Sequence, residues 1–546
     1  MKILVRNKRE YKSAIKSGTI TRLLAGLAFL FLFAGEAAAQ RGAVYTNPVQ
    51  AGDYPDPSMI RIGRDFYATA TSSEWAPEYP ILHSTDLVNW RIVGTVFPKK
   101  PEWSVSNYWA PEIWQENGKI YIFYTARRRN GPLCIAVATA DRPTGPYTDH
   151  GPLECQEVGS IDAFPIRDEN GKLFVTWKED GNSVGRPTPL WAQELDTNSW
   201  KLVGRRHEIM RNDPETWEGN LIEGQFIMRR GEYFYMFYSG NACCTRGCNY
   251  AMGVARSRTL LGNWERSPEN PILKGNEFWN CPGHGTAVTL ENGRTFMLYH
   301  AIHPEDTVFV GRQALLDEVN WTPDGWARIN NGRGASRQAR APLGVAEREE
   351  EYRFFDDFTA PALAFGWQWL HASPPVYNVR NGFLELAPNR DDEKSPIGGV
   401  IGYYTTVADY EATTEIDAGS LKRDAIAGIS AFGDGENALG AGVRNGRIII
   451  WRRERNNQRT VFDAPAPAGK TIFLRMTARN GIFYGFSVSP DGRNFRPVGG
   501  ELNGDSLPPW DRGLRVTLTV GGADDARARF GFLRIEPTKT ATFGVR

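Results

Sequence analysis

This chain lacks several features that would assign it to a broad class at once. Sustained helical periodicity is missing beyond the first forty or so residues, so a helical bundle or a doubly wound α/β fold is not expected. No apolar run is long enough to cross a bilayer: LLAGLAFLFLFAG, residues 23–35, falls short of the roughly 20 residues a spanning helix needs. Charge of one sign is not in excess, with 64 Lys and Arg against 63 Asp and Glu, so neither nucleic acid nor an anionic membrane is an expected partner. No H-E-x-x-H pair occurs for a zinc hydrolase, and a Ser-His-Asp hydrolase built on a nucleophile elbow is not expected. Cysteine is sparse, at six residues, and the run CCTRGC has no zinc-ligand spacing and no nearby histidine to complete a site.

What the chain does have is a repeat. Gly63, Gly118, Gly171, Gly231 and Gly293 belong to one turn-plus-strand phrase: GRDFYATAT, NGKIYIFYT, NGKLFVTWK, RGEYFYMFYS and NGRTFMLYH, with the glycines 53 to 62 residues apart. A second phrase closes each unit, ending at Trp90, Tyr147, Trp200, Trp264 and Trp321. The stretches between are short, rich in Val, Ile, Tyr and Phe, and bounded by Gly, Asn and Asp, which reads as strands. Units of this length fit the four-stranded blades of a β-propeller, and five phrases imply five blades. Shortly before each glycine lies a polar side chain, Asp56, Glu112, Asp162, Glu223 or His284, and radial repetition would aim all five at one point.

The organisation follows. Residues 1–39 have the basic start, apolar stretch and small-residue end (AAA) of a secretory signal. Its removal takes away seven basic and two acidic residues, leaving 57 against 61 and a net charge of −4. A secreted or periplasmic location is therefore expected, without membrane attachment after cleavage, and the cysteines are expected to form disulfides that pin loops, in a pairing left open. Residues 44–344 are expected to form the five-bladed propeller and 345–351 a charged linker. Residues 352–537, where strands such as GRIIIWRRE and TIFLRMTA alternate with turns, are expected to form an antiparallel β-sandwich. The fold class is all-β.

Asp56, Asp162 and Glu223 lie in apolar, strand-like surroundings. Any one of them alone reads first as a turn cap or an ion-pair partner. Three acids at one repeat position favour chemistry instead, because like charges converging on a cavity raise at least one pKa and leave a neutral acid beside an ionised base. Hydrolysis of a glycosidic bond needs such a pair.

The motifs NPVQAGDYPDPSMIR, HSTDLVNW, NYWAPEIW, GSIDAFPIRDENGKLFVTW, LIEGQFIMRRGEYFYMFYSG, PGHGTAV and GRQALLDEVNW resemble those of glycoside hydrolase family 43, and FFDDF with the following WQW is similar to the concanavalin-like sandwich appended to xylosidases of that family. The resemblance implies a carbohydrate substrate containing arabinose or xylose. It implies Asp56 as general base, Glu223 as general acid and Asp162 as the carboxylate that tunes the acid. It also implies inversion at the anomeric carbon, for which the two reacting carboxyls stand roughly 6.5–9.5 Å apart. By the same resemblance Arg312 reaches sugar hydroxyls, and His284 lies by a structural calcium ion or its waters, with no cofactor needed for the chemistry. Trp75 and Trp109 are candidate stacking platforms and Glu112 a candidate substrate ligand, where the family often has Asp. The family's proline two residues after the acid is Gln225 here. Exo-acting release of terminal sugars is the leading expectation. An endo-acting arabinan hydrolase and an inactive carbohydrate-binding propeller are the alternatives.

Overall fold

The computed structural model describes residues 43–305, 307–344, 352–389, 397–523 and 525–538, nearly all of them in strands and turns. The expected signal, 1–39, and linker, 345–351, lie outside these residues. Five antiparallel four-stranded sheets follow one another along the chain, and we number them blades I to V. Their innermost strands, Ser58–Ile62, Ser104–Glu116, Ser160–Arg167, Ile222–Arg230 and Asn280–Thr289, pack against one another in cyclic order, the fifth returning to the first. That closed ring is a propeller.

The repeat phrase supplies the first hairpin of every blade. Its glycines all turn left-handed, with φ from 60° to 83°, a conformation that disfavours any residue with a Cβ. The strand that follows is buried on both faces, as from Ile120 to Ala126, because each blade is covered by its neighbours on either side. Val44–Thr46 pairs with Gln338–Arg340, and Asn47 exchanges two hydrogen bonds with the Leu316 backbone of blade V, 3.0 Å each. The start of the propeller is thereby laced to its end.

The second domain is a sandwich of two antiparallel sheets, one of eight strands and one of six. Strand Thr471–Arg479 turns Ile472, Leu474, Met476 and Ala478 inward, against residues such as Ile429, Val443 and Val516 from the other sheet. The boundary between domains in sequence is not a boundary in packing. Phe309, from a short helical turn in blade V, sits in the sandwich core, and Trp369–Leu370 of the sandwich pairs with Trp75–Ala76 of blade I. The sandwich thus caps loops on one face of the propeller.

Candidate active site

On that face a residue in the left-handed region lies in each inner strand or, in blade I, two residues ahead of it: Asp56 (φ 52°), Ala110 (41°), Asp162 (58°), Gly224 (60°) and His284 (40°), with Asn107 (59°) and Cys281 (52°) further left-handed residues of blades II and V. Around Ala110, Asp162, Gly224 and His284 the pairing with the next strand slips register. The kink leaves an N–H unpaired in the sheet, and a buried N–H needs an acceptor. In four blades the last residue of a repeat phrase supplies it to the following blade: His300 Nδ1 to Asp56 (3.1 Å), Thr71 Oγ1 to Ala110 (2.7 Å), Thr125 Oγ1 to Asp162 (3.1 Å) and Ser239 Oγ to His284 (2.9 Å). For Gly224 the corresponding residue is Lys178, which cannot accept. The Gly224 N–H goes instead to Asp162 Oδ2 (2.9 Å), while Lys178 Nζ donates to Glu223 Oε2 (2.6 Å).

This register corrects the expected set of five. The kinked residue of blade II is Ala110, and Glu112 lies two residues further on, where it accepts a hydrogen bond from Ser58 of blade I (2.6 Å). Burial, reinforced by Asp162, pushes its carboxyl well above the usual range in spite of Ser58, so Glu112 ties blade II to blade I as a neutral acid. Glu223 precedes the kinked Gly224 by one residue, and its side chain meets Lys178 and Tyr250, whose hydroxyl donates to Oε1 at 2.9 Å.

The three acids form one connected cluster. Asp56 Oδ1 accepts from Arg312 Nη1 (2.8 Å) and faces His284 Nδ1 (3.4 Å), while Oδ2 accepts from Thr71 (2.7 Å). Burial by itself would raise the Asp56 pKa, but the Arg312 guanidinium, with help from His284 and His300, holds it far below the usual carboxylate range. His300, which burial pulls down to about 4, is neutral, and its ring lies parallel to that of Tyr250, 5.7 Å away. Burial, opposed by His284 and aided by the charge of Glu223, pushes Asp162 up to about 6. Glu223 goes the other way: burial would raise it, but Lys178 in contact lowers it. Asp162 and Glu223 therefore titrate as a pair, with burial favouring the neutral form at Asp162 and Lys178 favouring the anion at Glu223.

Arg312 links the cluster to the sandwich. Its Nη2 donates to the Asp511 carbonyl (3.2 Å), and its buried Nε has no protein partner. Trp109 Nε1 donates to Asp511 Oδ2 (3.3 Å), and its ring meets the edge of Trp510, which is 56% exposed. Trp109, half-buried, therefore stands where the propeller meets the sandwich beside this cluster. Trp75 is fully buried between Phe432 and Arg515 of the sandwich, so the expectation of a sugar platform there is overturned. Gln225, in place of the family's proline, ties the kink by donating to the Asp162 carbonyl (2.5 Å).

The protein donors around His284 do not by themselves form a carboxylate cage, so a calcium ion there would be held by His284 and largely by waters. Calcium takes six to eight oxygens, and the one carboxylate beside His284 is already paired with Arg312. Among the described residues no group of three or more His, Cys, Asp or Glu is placed to hold a metal. A serine nucleophile is also absent from this cluster. The letters G-x-S-x-G do occur at 181–185, but Ser183 lies in an exposed 3-10 turn and donates to the Asp180 carbonyl (2.7 Å), not on a strand-to-helix elbow.

Residues 45–327 match the family model described as glycosyl hydrolases family 43, just over half of the chain. The chain belongs to this family. Residues 355–509 match the beta xylosidase C-terminal concanavalin A-like domain. Among curated relatives, a xylosidase/arabinosidase of Butyrivibrio fibrisolvens is 30% identical over 58% of this chain and 61% of its own length. A non-reducing end alpha-L-arabinofuranosidase of Bacteroides ovatus is 27% identical over 80% of this chain and 83% of its own. A family 43 crystal structure from Bacillus licheniformis superposes with a TM-score of 0.78 at 27% identity, covering 91% of this chain and all of that one. This family 43 chain is a glycosidase of the xylosidase and arabinofuranosidase type, and its substrate is a carbohydrate.

Lys178, His300, Tyr250 and Asp511 were not singled out in the sequence. The first two had a signal: they are the last letters of their repeat phrases. Asp511 had none, because it reaches the pocket from the other domain.

Proposed function

We propose that this enzyme removes terminal arabinofuranosyl or xylosyl residues from oligosaccharides or polysaccharides by single displacement with inversion. The observation that carries the reading is the opposed electrostatics of one cluster. Asp56 is locked as an anion by Arg312, while the Asp162 and Glu223 pair retains a proton that Glu223 can deliver. Asp56 would take a proton from water as its oxygen bonds to the anomeric carbon. Glu223 would give its proton to the leaving oxygen as the old bond breaks, and Asp162 would keep that proton available. After the step Asp56 holds one proton more and Glu223 one fewer, and exchange with solvent resets both. Exo action is supported by the Trp510–Arg512 segment of the sandwich, which walls one side of the site. Export is supported by the leader-like sequence of 1–39 and by the absence of free cysteines among the described residues.

The test uses nitrophenyl α-L-arabinofuranoside and β-D-xyloside with purified protein, alongside Glu223→Gln and Asp56→Asn. Release from one substrate, reduced roughly 100- to 10,000-fold in Asp56→Asn, is the expected result, and Glu223→Gln should lose as much on an unactivated oligosaccharide of the same sugar. Substantial turnover of the nitrophenyl substrate by folded Asp56→Asn, or of the oligosaccharide by folded Glu223→Gln, would overturn the assignment of roles. Inversion is checked by proton NMR of the first product. If that product has the substrate's own anomeric configuration, single displacement is wrong. If only polymeric arabinan is cleaved, the endo alternative stands.

A further inference from the structure

Lys178 occupies a position that the other blades give to a hydrogen-bond acceptor, namely Thr71, Thr125, Ser239 and His300. Each of those takes a backbone N–H and so fastens the kink of the following blade. An ammonium has three donors and no acceptor, so it cannot make that bond. Its side chain is 1% exposed, and Nζ touches two carboxylates, Glu223 Oε2 at 2.6 Å and Asp180 Oδ1 at 3.1 Å. Burying a cation costs more than burying a hydroxyl. A repeat that manages with threonine and serine elsewhere has therefore placed its one buried lysine against the proposed proton donor.

On the reading of Glu223 as that donor, we propose that Lys178 is a positioning residue for the proton-transfer step: it fixes Oε2, reserves Oε1 for the proton, and takes up the charge that Glu223 acquires as the proton leaves. Oε1 faces the Tyr250 hydroxyl at 2.9 Å, which can donate or accept. Oε2 faces an ammonium, toward which it can only accept, so the proton of the loaded acid belongs on Oε1. In the step the Oε1–H bond breaks and the proton joins the leaving oxygen. The electrons of the bond between the anomeric carbon and that oxygen stay with the oxygen, and Glu223 becomes a carboxylate. The charged and titratable groups facing it are Lys178, Asp162, His284 and Tyr250, with Asp180 behind Lys178. Lys178 is the fixed cation in contact, and its attraction grows as the O–H bond breaks, which is stabilisation realised in the transition state. A leaving group that is stable as an anion needs no proton and draws little on it.

The test compares kcat/KM on a dinitrophenyl glycoside and on an unactivated oligosaccharide of the same sugar. The proteins are wild type, Lys178→Met, Lys178→Gln, Glu223→Gln and the double variant Lys178→Gln/Glu223→Gln. Lys178→Gln keeps a donor toward Oε2 without the charge, and carries the test if Lys178→Met does not fold. The expected loss in the Lys178 variants is at least about 30-fold greater on the oligosaccharide than on the activated substrate, within the usual span for acid catalysis. In the Glu223→Gln background, changing Lys178 should cost less than about threefold more, since the two act as a unit. Equal losses on both substrates, or a full further loss in that background, would overturn the role of Lys178 while leaving Glu223 as donor. If Glu223→Gln alone fails to discriminate between the leaving groups, the reading of Glu223 falls, and this role with it.

Discussion

Asp56 and Asp162 are both buried carboxyls, yet their neighbours drive them in opposite directions, and the pH profile should record this. Asp56 sits so far below the ordinary carboxylate range that it stays ionised throughout the working range and contributes no acid limb. The Asp162 and Glu223 pair takes up its proton as pH falls through about 6. The competent form holds that proton, so kcat/KM on an unactivated substrate should be high below this value and fall as pH rises through it. Asp162→Asn removes a negative neighbour, weakens the hold of Glu223 on its proton and should move the falling limb to lower pH. Arg312→Met leaves burial at Asp56 opposed only by His284, His300 and the Thr71 hydroxyl and should add a rising limb on the acid side, measured by initial rates across the same range. An unchanged limb in Asp162→Asn would contradict the tuning role. The three acids were legible because their letters recur close to one repeat position, Glu223 lying one residue before the kink that Asp56 and Asp162 occupy in their blades. The offset of Glu112 from the left-handed kink, two residues earlier at Ala110, was not legible, because letter spacing does not reveal a register slip.

At the level of elements, the loop 241–249 of blade IV joins strand Tyr233–Gly240 to Ala251–Ser257 and ends beside Tyr250. Cys248 in this loop is bonded to Cys281 on the inner strand of blade V, three residues before His284, and Arg246 is ion-paired with Asp505 of the sandwich. The link closes a loop of 33 residues, and removing it with Cys248→Ser/Cys281→Ser should cost about 2–4 kcal/mol of stability, read by urea unfolding. Because Tyr250 is next but one to Cys248, kcat should fall as well. Stability lost with kcat unchanged would confine the disulfide to a structural role. That cysteines pin propeller loops was legible from their number and setting. Their pairing, Cys134 with Cys155, Cys243 with Cys244 and Cys248 with Cys281, was not, because six cysteines allow many pairings and the blades bring distant segments together. The hairpins themselves were plain, since each is announced by a glycine that turns left-handed.

At the scale of the molecule, both domains were legible as strand patterns, but their contact was not. Trp75 looks like a loop aromatic when blade I is read alone. Only the sandwich explains its burial, since the surface it packs on is several hundred residues away in sequence. The same interface encloses Glu78, which is fully buried with both carboxyl oxygens lacking a hydrogen-bond partner, and His371 Nδ1 is 3.8 Å from it. Burial pushes Glu78 up to about 8, and Lys100 offsets this only in part. Folded protein therefore retains a proton that the unfolded chain releases at the ordinary carboxylate value of 4.5. By linkage, this group's contribution to stability is fully present below that value and is lost as pH rises to about 8. Glu78→Gln carries no titrating proton. The thermal midpoint of the wild type, measured against that of Glu78→Gln on both sides of this window, should decline toward alkaline pH, and the activity of the wild type relative to Glu78→Gln at the same pH should fall in step as Asp511 withdraws from Arg312. Parallel midpoints in the two proteins would mean that the domain interface does not respond to Glu78. A widening gap without loss of activity would mean that the sandwich loosens at Glu78 while its grip on Arg312 holds.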